Sequence, residues 1–394
     1  MELRAMTASP VLAVAALAAL LLAGCTAQPA ASPTHTPAST SPTTPTATPQ
    51  ADPVQAFADQ RLASMTLKQK VASLFMLHYP GTAAAPIRRF VEKYQPGGLI
   101  LMGDNIPPLM SALKKQVAAI SPDPELPLLT GIDQEGGIVR RILLDSGPAG
   151  AELRNKPASV ARSAFATRAA YLQRAGIAIN FGIVADETAD PASFIFPRVL
   201  GTTPRAAADR VAAAVKGERG EVLSTLKHFP GHGISAADSH ASIPSTTMTL
   251  ARWTATHAVP FQAGVDAGAE VVMFGHLQFS RVDNKPATLS KKWHDILRDK
   301  LGFQGITITD DMLMLQRSGN TSYRSATRNA IAAIAAGNTM LLYVLPAQPK
   351  SVGFEPAKVV DAVVAAVRDG RISEATIDAD ARKLIVARRN LVLG

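Results

Sequence analysis

Residues 305–310 read GITITD, four β-branched side chains behind a glycine, closed by a carboxylate. Such side chains favour extended backbone, so the run predicts a buried strand that delivers Asp310 to its C-terminal edge. Successive strand residues face opposite sides, so Asp310 and Asp311 cannot both point inward. Asp310 is expected to face a cavity as a nucleophile. Asp311 is expected to cap the following helix or to support its neighbour.

Seven further apolar runs of this length are spread along the chain: SLFMLHY (73–79), GGLILMG (97–103), PLLTGID (127–133), NFGIVAD (180–186), STLKHF (224–229), EVVMFGH (270–276) and TMLLYVL (339–345). Between them lie helical patterns such as PIRRFVEKY (86–94), PASVARSAFATRAAYLQRAG (157–176), TPRAAADRVAAAVKG (203–217), SKKWHDILRDKLG (290–302) and SATRNAIAAIAAGN (325–338). Several open on Ser, Thr or Pro and close near Gly or Asn, as helix ends do. Strands apolar on both faces belong to parallel sheets covered by helices. Eight β/α units therefore predict an α/β TIM (β/α)8 barrel, a single catalytic domain over residues 54–394. The alternative, an open doubly wound sheet, usually carries a glycine-rich phosphate loop, and none follows the first strand.

In such a barrel the C-terminal strand ends share one rim, where the chemistry sits. Asp133 ends the third strand, Asp186 the fourth, Lys227 and His228 the fifth, His276 the sixth and Asp310 the seventh. Any one of them is explained as a helix cap or a satisfied polar group. Together on one rim they predict a cavity with acidic and basic groups, suited to a polar substrate, and on this ground His276 counts among the substrate-binding candidates.

The ends of the chain bound its setting. VLAVAALAALLLAGC (11–25) follows Arg4 and stops at the only cysteine. It is short for a membrane span and predicts a signal segment over residues 1–24. Leu22, Ala23 and Gly24 before Cys25 resemble a bacterial lipobox, in which the cysteine is diacylated. With one cysteine, neither an intramolecular disulfide nor a cysteine-ligated metal site can form. Residues 25–53 are almost all Ser, Thr, Pro, Ala and Gln, the composition of a disordered tether. The expected location is the outer face of the bacterial cell membrane, held there by lipid on Cys25. A net charge of +9 suits acidic wall polymer or anionic headgroups. No aromatic-and-basic recognition motif is present, and nucleic acid is not expected as a partner.

KHFPGHGISAADSH (227–240) holds three of the eight histidines. A metal site is disfavoured: between His228 and His232, Pro230 and Gly231 break the helical face that such a pair would use. A serine hydrolase is also disfavoured, because no Gly-x-Ser-x-Gly elbow exists. Acid/base work is the stronger reading. Asp238 and His240 are two apart, so in a loop the carboxylate can orient the imidazole and raise its basicity.

With these residues in place, the sequence resembles the glycoside hydrolase family 3 β-N-acetylhexosaminidases, the single-barrel type acting on N-acetylglucosaminides including peptidoglycan fragments. The matching pieces are GIDQEGG followed by VRR, SFIFPRVLG, KHFPGHG with DSH, VMFGH, PATLS, LRDKLGFQGITITDDM and AAGNTMLLY. The resemblance implies a retaining mechanism with Asp310 as nucleophile and His240 as proton donor, partnered by Asp238. It also implies sugar contacts from Asp133, Arg141, Arg198, Lys227 and His228, with no metal or organic cofactor. Three departures bear on substrate preference: Ile138 stands where the family usually has arginine after DQEGG, SFIFPRVLG lacks a usual glycine and aromatic, and Thr339 replaces a frequent acidic residue. A histidine is uncharged after giving up its proton, which leaves room for an anionic acceptor, so phosphorolysis is an alternative to hydrolysis. A catalytically weak wall-sugar-binding lipoprotein is the other.

Overall fold

The computed structural model describes residues 52–393. The signal segment, Cys25 and the tether as far as residue 51 lie outside the described residues. Pro53, counted with the tether, instead opens the first helix, because the Asp52 carboxylate caps it by accepting from the Val54 N–H at 2.8 Å.

All eight expected strands form: β1 Phe75–Leu77, β2 Gly98–Leu101, β3 Leu129–Ile132, β4 Ile179–Val184, β5 Leu223–Phe229, β6 Val271–Phe274, β7 Ile306–Thr309 and β8 Leu341–Tyr343. They pair in parallel in the order β8-β1-β2-β3-β4-β5-β6-β7, and a parallel bridge between Ile308 and Met340 closes the ring. The fold is therefore a TIM barrel. Apart from Leu223, every residue of these strands is buried, which is why their sequences lack a solvent-facing alternation. A short parallel pair, Ser245–Thr246 with Gln278–Phe279, fastens the far end of the loop after β5 to the loop after β6.

The helices follow their sequence signals. Thr203 caps Pro204–Glu218 by accepting from the Ala206 N–H, with proline at the first helical position, where its missing N–H costs nothing. Ser325 caps Ala326–Ala336, which ends at Gly337 with φ 120°. The segment expected as one helix over 290–302 differs. It starts as α-helix Lys291–Asp295 and continues as a π-helical turn Ile296–Lys300, where the Leu301 N–H reaches back five residues to the Ile296 carbonyl. Arg298 in that turn donates to the Phe303 and Gly305 carbonyls, both at 2.9 Å, tying the turn to the start of β7.

Behind β5 and β6 lies an aromatic cluster. Phe229 meets Phe261 at 5.3 Å and Phe274 at 5.0 Å between ring centroids, and Trp253 meets Trp293 at 4.8 Å. The Trp253 indole N–H donates to the Pro230 carbonyl at 2.7 Å. Truncating such a ring typically costs about 3–5 kcal/mol. That rigidity is applied where β5 ends, directly beside Lys227 and His228.

Candidate active site

A cavity of about 330 Å³ opens at the C-terminal ends of the strands, and its walls include Asp133, Arg141, Arg198, Lys227, His228 and Asp310. Lys227, 2 % exposed, bridges two carboxylates: its ammonium donates to Asp133 Oδ1 at 2.8 Å and lies 2.7 Å from Glu135 Oε1. Arg141 Nη2 donates to the other oxygen of Asp133 at 3.0 Å. Arg198 clamps Glu135 through two bonds of 2.9 and 2.7 Å. Burial alone would push both acids up. Lys227 and Arg141 more than offset it at Asp133, and Arg198 and Lys227 do so at Glu135, so both stay ionised below the usual carboxylate range. Burial likewise pulls the Lys227 ammonium down, and its two carboxylates hold it charged. The result is a fixed lattice of opposite charges that needs no rearrangement to meet a polyhydroxylated ring.

The loop carrying this lattice is built around Gln134. Its side-chain carbonyl accepts from the Arg141 and Ile142 N–H groups at 2.9 and 3.0 Å, and its amide donates to the Ile142 carbonyl and to Asp145. Asp145 is held by buried Arg168 at 2.6 Å. From below, Asn180 of β4 accepts from the Gln134 backbone N–H at 3.2 Å and donates to Glu218 at 2.5 Å.

Asp186, just past β4, is fully buried and accepts several N–H groups. They are His228 Nδ1–H at 2.7 Å, the His228 backbone N–H at 3.1 Å and the His232 backbone N–H at 2.6 Å. Burial opposes its charge, but the electrostatic attraction and hydrogen bonds it shares with His228, and with His232, bring it down to about 2. Pinning the Nδ1 proton of His228 leaves Nε2 free to accept from Arg198 Nη2 at 3.3 Å. The Lys227–His228 and Phe229–Pro230 peptide bonds are cis.

His232 does not join the chemistry. Its ring is 1 % exposed, neither nitrogen has a partner among the described residues, and burial lowers its pKa to about 4. The next residue, Gly233, passes so close to the Glu187 carbonyl that a Cβ would sit 1.8 Å from it. Only glycine lets the loop after β5 lie against the end of β4. Further along, Asp238 Oδ1 accepts from His240 Nδ1–H at 2.7 Å and from the His240 backbone N–H at 2.9 Å. The imidazole is thereby oriented with Nε2 left to carry the exchangeable proton. Its side chain is 61 % exposed, on the solvent side of the cavity.

Asp310 and Asp311 divide as strand geometry requires. Asp310 lines the cavity. Burial raises it, and His228, His276, the Asp311 N–H and Lys227 together bring it below the ordinary value. Asp311 turns away and accepts from the Leu313 and Val344 N–H groups at 3.1 and 3.0 Å, capping helix Met312–Arg317. Burial pushes its carboxyl up to about 7. His276 is also turned away: Nδ1 pairs with the Thr288 hydroxyl at 2.8 Å and Nε2 with the Asp311 carbonyl at 2.9 Å. It braces the turn that carries Asp310 and does not line the cavity.

Two residues on or beside this cavity were not singled out from the sequence. Glu135 lies in the quoted DQEGG, but its partner Arg198 is 63 residues away, a distance no local pattern encodes. Phe194 reads as one more apolar residue of a loop. In chemical terms the site places an ionised carboxylate and an Asp–His pair on one cavity whose remaining walls donate and accept hydrogen bonds. Among the described residues, no group of three or more His, Cys, Asp or Glu is placed to hold a metal ion.

Residues 66–387 match the profile of the glycosyl hydrolase family 3 N-terminal domain. A beta-hexosaminidase of Methylobacillus flagellatus is 32 % identical over 259 residues, covering 62 % of this chain and 72 % of that one. One from Pseudomonas aeruginosa is 32 % identical over 276 residues, covering 67 % and 80 %. Among solved structures, a glycoside hydrolase family 3 beta-N-acetylglucosaminidase from Paenibacillus superposes with a TM-score of 0.76 at 29 % identity over 84 % of this chain. The chain spans 64 % of that enzyme's length. The beta-N-acetylhexosaminidase from Beutenbergia cavernae gives 0.70 at 27 % identity, covering 83 % of this chain and 99 % of that one.

Proposed function

This chain belongs to glycoside hydrolase family 3, and from that premise we propose that it is a retaining β-N-acetylhexosaminidase that removes terminal non-reducing N-acetylglucosamine from exported-side glycosides. The observation that carries the reading is the pairing, on one cavity, of ionised Asp310 with an Asp238–His240 couple whose Nδ1 is already committed.

Asp133 accepts hydrogen bonds from two sugar hydroxyls, while Lys227, Arg141 and Arg198 donate to hydroxyl or acetamido oxygens. So held, the ring presents its anomeric carbon to Asp310. His240 Nε2–H protonates the departing glycosidic oxygen as Asp310 bonds to that carbon. His240 then takes a proton from water, the oxygen of that water displaces Asp310, and the sugar leaves with its configuration retained.

The setting is part of the proposal: a lipoprotein anchored through Cys25 on the outer face of the cell membrane, acting on cell-wall fragments. What supports it is the lipobox-like sequence before Cys25, the Pro- and Thr-rich tether and the net charge of +9. Labelled fatty acid should enter the chain, and Cys25→Ala should remove it.

Incubation with defined wall fragments, with and without phosphate, tests the activity. Free N-acetylglucosamine in both conditions is expected. A sugar 1-phosphate formed only with phosphate would make the enzyme a phosphorylase. No turnover by folded protein, with wall sugar still bound, would leave only a binding lipoprotein.

A further inference from the structure

Phe194 sits half-buried in the loop after β4 and lines the cavity. Its ring centroid is 5.6 Å from that of His240, at an interplanar angle of 69°, and 5.7 Å from that of His232. The Arg198 guanidinium lies 5.9 Å from the same centroid. One ring thus touches the proton-donor candidate, the buried histidine at the base of its loop, and a cation of the sugar site.

The loop itself has few other ties to the barrel. Within residues 235–242 the hydrogen bonds run inward: Ala237 N–H to Ser235 Oγ, His240 N–H to Asp238 Oδ1, and the Ala241 and Ser242 N–H groups to the Asp238 carbonyl. The exception among the described residues is the hydroxyl of buried Ser193, which donates to the Ser235 carbonyl at 3.4 Å. Asp238 therefore orients His240 relative to its own loop and not relative to Asp310. The residues that reach across, Ser193 and Phe194, are consecutive and belong to the loop after β4.

We propose that Phe194 is the positioning residue for His240: its ring holds the exposed imidazole over the cavity where the glycosidic oxygen must lie, with Ser193 anchoring the same loop one residue earlier. An edge contact suits this task because the partner ring is directionally preferred and makes no bond to the Nε2 that must exchange its proton. The inference rests on the assignment of His240 as proton donor. It differs from a sugar-stacking role for Phe194, which would affect every substrate alike.

The test uses the purified full-length chain with Phe194→Leu, which keeps apolar bulk, and Phe194→Tyr, which keeps the ring. Displacing a catalytic group by about 1 Å costs on the order of 10²-fold, and a donor matters in proportion to how much the leaving group needs a proton. Phe194→Leu should therefore lower kcat on an unactivated disaccharide by about 10- to 100-fold while a dinitrophenyl glycoside loses less than about threefold. Phe194→Tyr should restore both. Independently of turnover, the ring-proton resonances of His240, assigned by their loss in His240→Gln, should move in Phe194→Leu and stay in Phe194→Tyr. An equal loss on both substrates with raised KM, an undiminished rate on the disaccharide, or unmoved His240 resonances would each overturn the proposal. Idle wild-type protein would instead count against the glycosidase reading, with the resonances still deciding whether Phe194 holds His240.

Discussion

The Asp311 backbone N–H donates to Asp310 Oδ1 at 2.8 Å, while the Asp311 carboxylate faces the other way and caps a helix. Two adjacent acids thus have separate tasks, and substitution should separate them. Asp310→Ala should lower kcat by about 10⁴-fold or more, as removal of a covalent nucleophile does. Asp311→Ala keeps the backbone donor and should leave a measurable fraction. Steady-state rates on an aryl N-acetylglucosaminide give the ranking, and the reverse order would move the nucleophile to Asp311.

His240→Ala removes the proton donor without touching the charge lattice around Asp133. Substrates with poor leaving groups should slow by about 10²-fold or more and dinitrophenyl glycosides far less. Uniform loss across the series would mean that His240 binds substrate and does not protonate it.

Asp186 falls from 3.8 to about 2 in the folded chain. An acid whose folded pKa is depressed adds stability above its unfolded value and loses it as pH falls through the folded one. Asp186→Asn should therefore be destabilised by about 2 kcal/mol at pH 6, and the gap to wild type should close as pH drops from 4 towards 2. Urea titrations at several pH values measure it; a gap that does not change with pH would show that packing, not charge, is lost.

Glu218 has the opposite sign. Burial first, and the neighbouring Glu270 charge, raise it from 4.5 to about 8, against the Asn180 hydrogen bond that lowers it. Folding then binds a proton that the unfolded chain has released, so wild-type stability should decline as pH rises from about 4.5 to about 8. Glu218→Gln keeps the carbonyl that accepts from Asn180 and avoids this cost. It should gain on the order of 4 kcal/mol at pH 8 and less than about 1 kcal/mol at pH 5. Equal gains at both values would contradict a buried neutral acid.

The barrel was legible in the sequence because strands covered on both faces need apolar side chains throughout, and because each run ended at a glycine, an aspartate or a histidine or directly before a proline. Asp133, Lys227, His228 and Asp310 share the cavity because the rim of a barrel gathers strand ends. The rest depends on distance across the ring. Glu135 owes its place to Arg198 from another loop, and Phe194 owes its contacts to two histidines about 40 residues further on. His276 ends its strand as expected, yet Thr288 and the Asp311 carbonyl claim its nitrogens, and nothing in the spacing of the sequence announces either partner.

The central claim is a covalent glycosyl-enzyme on Asp310. A fluorinated N-acetylglucosaminyl fluoride that forms this species quickly and hydrolyses it slowly should leave one sugar on the chain, mapped by peptide mass spectrometry to the segment containing Asp310. The adduct should be absent in Asp310→Ala. Turnover without any adduct, or an adduct on another residue, would contradict the account.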